Sequence, residues 1–282
     1  MNNPQKTNRL RPLMTDMPRV YAIASGKGGV GKSVIAFNLA QSLAKNGRIL
    51  LIDGDFQMGN LHLLANAAPE YGWQGVCLGQ TELSEAVRPI NDNLDLLAST
   101  GGRSNELLPD LKSLAACLAD LRDKAAGYDN IIIDTASGIL PHTNLILNAV
   151  DEVILVTTPE LTSISDCYAL YKILISNNKH LTASLLINRE QRQEEVEYIY
   201  QKFVAITDQF LHRSPAFLGF LGEDKAVVDS VAHQQGLLNF SPNSPITNQL
   251  DRLAEKLSGN RSGAKISIET INFTPSGADI KE

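Results

Sequence analysis

Short apolar runs alternate along the chain with longer segments that carry apolar residues at helical spacing. A glycine-rich loop follows the first run and leads into a helical segment in which Ile35, Leu39 and Leu43 share one face. Apolar runs that alternate with helices in this way are typical of a parallel sheet covered on both sides. The pattern predicts an α/β fold with a mostly parallel sheet of about seven strands and helices on both faces. The predicted strands cover residues 20–25, 48–52, 94–98, 130–133, 152–157, 184–187 and 216–220.

The same pattern divides the chain into three parts. Residues 1–18 form a polar leader with a few basic side chains, residues 19–258 carry the repeating strands and helices, and residues 259–282 form a polar tail. We expect the leader and the tail to be flexible, because neither shows a regular apolar stripe. The main helices are predicted over residues 33–46, 106–125, 143–150, 163–176 and 193–211. A final helix docked on the domain is predicted from the stripe Ile246, Leu250, Leu253 and Leu257.

Length and charge limit the class of protein. A chain of 282 residues suits one large α/β domain better than two independent ones. The formal net charge of −6 argues against direct DNA binding, because affinity for nucleic acid comes largely from basic side chains that neutralise phosphates. The sequence has neither an apolar run long enough for a transmembrane helix nor an apolar secretory core, so we expect a cytoplasmic protein.

The three cysteines, Cys77, Cys117 and Cys167, are far apart in the sequence. An odd number of widely spaced cysteines does not indicate a disulfide framework. Without a Cys-x-x-Cys pair, a thiolate metal cluster or a redox site within one chain is not expected. We predict that all three are small buried or half-buried residues.

The strongest motif is Gly-Lys-Gly-Gly-Val-Gly-Lys-Ser over residues 26–33, which satisfies the phosphate-loop pattern G-x-x-x-x-G-K-[ST]. It follows a predicted strand and opens a predicted helix, as this pattern requires, and it indicates a P-loop NTPase. Glycines let backbone N–H groups curl around an anion, and the helix N-terminus adds a favourable dipole. Lys32 is expected to reach the β- and γ-phosphates of ATP, and the Ser33 hydroxyl to bind Mg²⁺. The residues predicted to contact the nucleotide here are Gly26, Lys27, Gly28, Gly29, Val30, Gly31, Lys32, Ser33 and Val34.

Lys27 is a second lysine in this loop, and an ordinary phosphate loop does not need it. A cation so early in the loop can point away from its own phosphate cradle. It could then reach the nucleotide of a facing subunit and act like an arginine finger supplied in trans. The other interpretation is a solvated lysine, and spacing alone leaves both open.

Polar side chains end several predicted strands, at the edge where ligands bind in parallel sheets. Asp53 and Asp55 follow the second strand, where a carboxylate can orient or deprotonate a water or hold a water on Mg²⁺. Both could instead be ordinary turn aspartates. Asp134 ends an Ile-Ile-Ile run and matches the second acidic element of phosphate-loop enzymes, which contacts Mg²⁺. Asn188 ends a later strand, and its amide can pair with the adenine edge or close a turn.

With these residues the chain resembles the deviant Walker A ATPases, the family of MinD and ParA. The string from Lys27 to Ser33 is that family's signature, and the early lysine separates it from other phosphate-loop proteins. Residues 128–139 and 151–170 are similar to the branch of flagellar-number regulators called FlhG or FleN. The resemblance covers roughly residues 19–257.

The resemblance implies an ATPase that forms an ATP-bound sandwich dimer with Mg²⁺. It implies three catalytic residues: Lys27, which crosses to the partner's phosphates, Lys32, and Asp55, which positions the hydrolytic water. The implied Mg²⁺ residues are Ser33, Asp53 and Asp134, and the residue at the adenine is Asn188.

Two features depart from the family's usual pattern. After the second strand the family usually reads Asp-x-Asp-x-Gly-x-x-Asn-x-Asp, whereas Gln57 stands here in place of the glycine and His62 in place of the last aspartate. Whether the altered segment permits normal hydrolysis stays open. The tail over residues 259–282 lacks a basic amphipathic stripe, which puts membrane binding in doubt.

The sequence therefore predicts an ATP-driven regulatory switch, whose dimer binds protein partners and whose hydrolysis of ATP releases them. By resemblance, the expected partner is an FlhF-like GTPase or a flagellar transcription activator, and the regulated property is the number and placement of flagella. One alternative is a ParA-like ATPase that positions DNA or cargo, which needs a basic surface. A second is a MinD-like regulator of exopolysaccharide secretion. An iron–sulfur reductase with the same loop would need cysteines beside the site.

Overall fold

The computed structural model describes residues 17–99, 108–190 and 192–259. Nearly all of the predicted leader and tail lie outside these ranges. Eight strands form a single sheet in the order β3-β4-β2-β5-β1-β6-β7-β8, and every neighbouring pair is parallel except β3 and β4. The strands are β1 (Arg19–Ala24), β2 (Ile49–Gly54), β3 (Arg88–Asn91), β4 (Leu94–Leu97), β5 (Asn130–Thr135), β6 (Glu152–Thr157), β7 (Thr182–Asn188) and β8 (Ala216–Leu221).

Eleven helices connect or cover these strands within the described residues. The longer ones are α1 (Lys32–Leu43), α5 (Leu111–Lys124), α6 (Pro141–Ala149), α7 (Leu161–Asn177), α8 (Gln193–Leu211), α9 (Lys225–Ala232) and α11 (Pro245–Gly259). The short ones are α2 (Leu61–Leu64), α3 (Trp73–Cys77), α4 (Leu83–Ala86) and α10 (Leu237–Phe240). In this part of the chain, none of the helices has the length and apolar character that a bilayer crossing requires.

The sheet is the middle layer of three, with a hydrophobic core on each face. On one face, strand residues such as Ala22 and Leu50 pack with apolar residues of α3 and of α5 to α8. On the other face, residues such as Ile23 and Leu51 pack with α1 and α11. Successive side chains of a strand point to opposite faces, so a strand buried on both sides is apolar at consecutive positions. The predicted three-layer α/β arrangement is confirmed.

All seven predicted strands are present with bounds within two residues of those expected, and β3 is an additional one. β3 lies at the sheet edge, runs antiparallel to β4, and has alternating half-buried and exposed residues. It carries Pro89, which lacks a backbone N–H and suits an edge strand. An apolar-run criterion could not find it, because half of its residues face water.

The register of the parallel strands places the carboxyl ends of the central ones side by side. Asp53 at the end of β2 lies opposite Asp134 at the end of β5. β5 adjoins β1, whose carboxyl end leads into the glycine-rich loop, and β1 adjoins β6. The residues predicted to carry the chemistry are thus gathered along one edge of the sheet.

Candidate functional site

The loop over residues 26–33 joins β1 to α1 in a backbone conformation that glycine permits. Gly29 and Gly31 have φ values of 77° and 98°, in the left-handed region that other residues rarely adopt. Gly31 is also the N-cap of α1, so the loop ends on the helix N-terminus. At Gly26, a Cβ atom would lie 2.2 Å from the backbone oxygen of Asp166 in α7. The loop is therefore packed closely against α7, and its N–H groups can curl around an anion.

Lys32 points into this cradle rather than to solvent. Its side chain is 8% exposed, and its Nζ donates to Ser25 Oγ at 3.0 Å and to Ser137 Oγ at 2.6 Å. Burial lowers the pKa of Lys32, while the carboxylates of Asp134 and Asp55 oppose that shift. A buried cation between small hydroxyl groups is positioned to bind a phosphate with little rearrangement.

Lys27 lies on the outer rim of the same loop. Its Nζ makes an ion pair with Glu160 Oε2 at 2.5 Å and donates to Thr162 Oγ1 at 3.1 Å, and its side chain is 38% exposed. The hydrogen bond and charge of Lys27 lower the pKa of Glu160. In this conformation Lys27 is an exposed lysine paired with an exposed carboxylate of its own chain, and its action on a facing subunit stays a prediction.

Asp134 and Ser33 fit a magnesium ion. Asp134 is buried at the end of β5, close to the Ser33 hydroxyl. Its carboxylate oxygen Oδ1 is buried and has no hydrogen-bond partner among the described residues. Burial raises the pKa of Asp134 to about 6, against the opposing effects of Ser33 and Lys32. A buried oxygen without a donor beside a hydroxyl is suited to a hard cation or to one of its waters.

Asp53 stabilises the loop that follows β2 through hydrogen bonds to its backbone. Its Oδ1 accepts from the backbone N–H of Asp55 at 3.2 Å, and its Oδ2 accepts from Leu61 N at 3.1 Å. Burial, and then the neighbouring Asp134, raise the pKa of Asp53 to about 8. Since both carboxylate oxygens accept backbone N–H groups, Asp53 fixes the shape of residues 55–61.

Asp55 is half-buried within that loop. Its Oδ1 accepts from Gln57 N at 3.2 Å and from Met58 N at 2.9 Å. The carboxylate therefore closes a turn over the segment that departs from the family pattern, and it contributes to the electrostatics around Lys32. The hydrogen bonds confirm Asp55 as a turn residue, and its role in positioning a water stays a prediction.

Asn188 lies at the end of β7 and contacts the phosphate loop from the side opposite the acidic residues. Its Nδ2 donates to the backbone oxygen of Val30 at 2.7 Å, and the side chain is 8% exposed. A Cβ on Gly31 would come within 2.6 Å of the same Nδ2. The structure thus brings Asn188 to the loop. Its predicted contact with adenine stays a prediction. Val34, in the first turn of α1, is half-buried nearby.

The side-chain contacts of four residues with the two lysines were not predicted from the sequence. These residues are Ser25, Ser137, Glu160 and Thr162. Each follows the end of a strand by a few residues, which is the signal that could have found them. Ser137 belongs to the loop after β5, where the backbone of Gly138 donates to Ser25 O at 2.9 Å. Hence the loops after β1 and β5 are joined beside Lys32.

Comparison with known proteins places this site in a family. The family model described as an AAA domain matches residues 18–187 of the chain. The flagellum site-determining protein YlxH of Helicobacter pylori is 30% identical over 240 residues, which cover 84% of this chain and 80% of YlxH. The chain belongs to the MinD/ParA family of ATPases. Antiactivator FleN of Pseudomonas aeruginosa is 28% identical over 240 residues, or 85% of this chain and 86% of FleN.

A solved member of the family has the same fold. The septum site-determining protein MinD of Pyrococcus horikoshii, in complex with Mg-ADP, superposes with a TM-score of 0.75 at 25% identity. The superposition covers 89% of this chain and all of that one. The chain therefore has the fold and the phosphate-loop motif of the P-loop ATPases of this family.

Proposed function

We propose that the chain is an ATP-dependent regulatory switch of the FlhG/FleN type that acts on the number or placement of flagella. Two relatives similar over more than four fifths of the chain carry the names antiactivator and flagellum site-determining protein. In this proposal the ATPase domain over residues 19–258 forms an ATP-bound sandwich dimer in the cytoplasm. The dimer binds a protein partner, either an FlhF-like GTPase or a flagellar transcription activator, and hydrolysis releases it.

The observation that carries the proposal is the different placement of the two lysines of one loop. Lys32 is buried among groups of its own cradle, whereas Lys27 lies on the exposed rim and contacts Glu160 and Thr162. A lysine that contacted only the nucleotide bound to its own chain would be expected to lie beside Lys32. A rim lysine held by an exposed carboxylate can exchange that partner for the phosphate of a second chain.

The residues of the site divide the chemistry between them. The backbone of residues 26–33 and Lys32 would bind the phosphates. Ser33, Asp53 and Asp134 would hold Mg²⁺, which would neutralise phosphate charge. Asp55 positions the attacking water. Asp53 keeps Asp55 in place through the two hydrogen bonds to the loop.

The contact between Lys27 and Glu160 makes the dimer depend on ATP. To reach a partner's phosphates, Lys27 must leave Glu160, so the cost of breaking the ion pair has to be offset by contacts with a complete triphosphate. A nucleotide that lacks the γ-phosphate offers fewer of these contacts. Partner affinity can follow the nucleotide state only through such a difference between the two conformations.

The first test is the mass in solution of the full chain with ATP and Mg²⁺ and with ADP and Mg²⁺, with the ATPase rate measured alongside. We expect the wild type to be dimeric with ATP and monomeric with ADP. Lys27→Ala should still bind nucleotide but should lose the ATP-dependent dimer or its turnover. A matched control is Lys45→Ala, which removes an exposed lysine paired with Asp251 away from the site.

Two results would overturn the proposal at different levels. A wild type that hydrolyses ATP as a monomer, with Lys27→Ala unchanged, excludes the sandwich dimer and leaves a P-loop ATPase without a trans-acting lysine. A normal ATP-dependent dimer that retains neither a purified FlhF-like GTPase nor a flagellar transcription activator in a pull-down excludes the flagellar role. Retention of DNA by that dimer at physiological salt would instead favour the ParA-like alternative.

A further inference from the structure

A buried amide side chain, that of Gln74 in α3, reaches the loop that carries Asp55. Gln74 is 2% exposed, and its Nε2 donates to the backbone oxygen of Phe56 at 3.3 Å and to Ser99 Oγ at 2.9 Å. Ser99 also lies against the far end of this loop, because a Cβ on Gly59 would come within 2.6 Å of Ser99 Cβ. Gln74 is therefore bonded to the loop and to the residue on which the loop closes.

The peptide unit between Phe56 and Gln57 joins Gln74 to the carboxylate of Asp55. Its C=O accepts from Gln74 Nε2, and its N–H donates to Asp55 Oδ1 at 3.2 Å. The peptide bond is trans, so its C=O and N–H point in opposite directions. Hydrogen bonds linked in such a chain polarise one another. The orientation of the Asp55 carboxylate is thus coupled to the Gln74 amide through a single peptide group.

Helix α3 gives Gln74 a fixed position in the core. Its first residue, Trp73, is fully buried, and Trp73 Nε1 donates to Cys117 Sγ of α5 at 3.4 Å. The centre of the Trp73 ring lies 5.1 Å from that of the Phe56 ring. All three cysteines are buried, as predicted from the sequence. Because α3 is anchored to α5, Gln74 can hold the loop in place instead of following its movement.

The same loop borders an open cavity, so packing alone does not hold it. No residue of α3 lines this cavity. The segment that follows β5 forms the other side, and the lining includes Asp55, Phe56, Gln57, Ala136 and Leu140. The loop therefore has room to move toward that segment, and its position depends on its hydrogen bonds.

We propose that Gln74 is a positioning residue for ATP hydrolysis, which holds the Asp55 carboxylate toward the attacking water through the peptide unit after Phe56. The proposal rests on the proposed function, because that function assigns the water to Asp55. Without the Gln74 amide, the carbonyl of Phe56 loses a donor in the core. The peptide unit can regain a donor by rotating toward the cavity and its water, and this rotation withdraws the N–H of Gln57 from Asp55.

Hydrogen–deuterium exchange of the full-length chain without nucleotide tests whether Gln74 holds the loop. Residues 55–61 contain four backbone amides that donate to Asp53 or Asp55. Gln74→Met keeps the length of the side chain and removes the donor, and we expect it to raise the exchange rates of these amides about tenfold. The control is Gln41→Met, which changes another buried glutamine, in α1, and should leave the rates unchanged. Unchanged exchange in a folded Gln74→Met protein would overturn the proposal.

ATP turnover tests the effect on catalysis, and Asp55→Asn provides the background that separates positioning from a general structural role. We expect Gln74→Met to lower kcat about tenfold and to change the KM for ATP less than about twofold, because the phosphate loop is not altered. In the Asp55→Asn background the same change should not lower the single-turnover rate further, since the carboxylate that Gln74 positions is absent. A tenfold loss in both backgrounds would assign Gln74 a structural role and contradict the proposal.

Gln74→Asn is the second variant, to be measured if Gln74→Met does not fold. It keeps an amide in the core but is one methylene shorter, so we expect the same changes in exchange and in kcat. An Asp55→Asn protein that turns over ATP like the wild type would show that the proposed function assigns the water to the wrong residue. Unchanged exchange in the Gln74 variants, with an inactive Asp55→Asn, contradicts only the role of Gln74. The two failures are therefore distinguishable.

Discussion

Single residues of the phosphate loop differ in how much space surrounds them, and two of its glycines provide a matched test. Gly31 has φ 98° and would place a Cβ 2.6 Å from Asn188 Nδ2. Gly28 has no left-handed backbone, and the nearest atom to its Cβ would be Ser137 Oγ at 3.8 Å. We expect Gly31→Ala to lower the free energy of unfolding by about 1–3 kcal/mol. Chemical denaturation without nucleotide measures the change.

Gly28→Ala is the control for this prediction. It adds the same methyl group to the same loop, and we expect it to change the free energy of unfolding by less than about 0.5 kcal/mol. Equal losses for the two variants would mean that the loop tolerates no Cβ at all. The conformation of Gly31 and its contact with Asn188 would then not be the cause.

Asp134 provides a second test at the scale of single residues, because its buried negative charge destabilises the folded state. The pKa of Asp134 is raised to about 6. Its favourable contribution to the free energy of unfolding is therefore present at low pH and is lost as the pH rises through about 6. At pH 8 the carboxylate is ionised and buried, and Asn carries no charge there. We expect Asp134→Asn to raise the free energy of unfolding at pH 8 by about 1 kcal/mol, since an unpaired amide offsets part of the gain.

The same variant should lose activity, because the amide cannot hold Mg²⁺ as a carboxylate does. We expect Mg²⁺-dependent ATP hydrolysis to fall at least about 100-fold. Denaturation without nucleotide and an initial-rate assay on the same sample separate the two effects. A variant that unfolds more easily and loses activity in proportion would assign Asp134 a structural role instead.

Residues of the candidate site could be predicted from the sequence wherever a motif fixes the spacing between them. Lys32, Ser33 and Asp134 were found in this way, because a loop, a helix start and a strand end each leave a local signal. Glu160 was not found as the partner of Lys27, since 133 positions separate the two and only the fold brings them together.

At the scale of whole elements, α11 stabilises the fold because its apolar stripe is buried in the core. Leu253 is 3% exposed and lies in the core formed with α1 and β8. We expect Leu253→Ala to lower the free energy of unfolding by about 2–5 kcal/mol, through lost burial and the cavity that remains. The control is Leu161→Ala, which removes a leucine that is 85% exposed and should cost less than about 0.5 kcal/mol. A small loss at Leu253 would mean that α11 is not an integral part of the core.

Long elements could be predicted because their periodicity is a property of the sequence alone. The helices α7 and α8 and the buried strands are examples. The short helix α3 could not, since five residues are too few to establish a period. Its place is set by tertiary contacts, above all the burial of Trp73 and the bonds of Gln74 to Phe56 and Ser99. Helix α3, one of the elements missed from the sequence, is therefore the one that supports the loop carrying Asp55.

At the scale of the whole molecule, the sheet order decides which residues can cooperate within one chain. β1, β2 and β5 bring the phosphate loop, Asp55 and Asp134 to one place, while β6 leads to Glu160 on the rim beside Lys27. One chain therefore contains a complete phosphate cradle and a lysine that is held outside it. In the proposed dimer, a second chain would face the first, and each would supply its rim lysine to the site of the other.

Mixing two inactive variants tests this exchange directly. Lys27→Ala keeps its own Asp55, and Asp55→Asn keeps its own Lys27 and the Oδ1 acceptor that closes the turn. If Lys27 acts on the partner's nucleotide, one site of each mixed dimer contains both residues. Random pairing makes half of the dimers mixed, so we expect an equimolar mixture to recover about a quarter of the wild-type ATPase rate, although each variant alone is nearly inactive.

The control mixes Lys27→Ala with a chain that carries both substitutions. Such dimers contain no Lys27, so the rate should stay at the background of the single variants. Recovery in the first mixture and not in the second requires a lysine supplied in trans, because no other pairing restores both residues to one site. If the first mixture is no faster than the mean of its components, Lys27 acts within its own chain, and the ion pair with Glu160 must then serve the nucleotide site of that same chain.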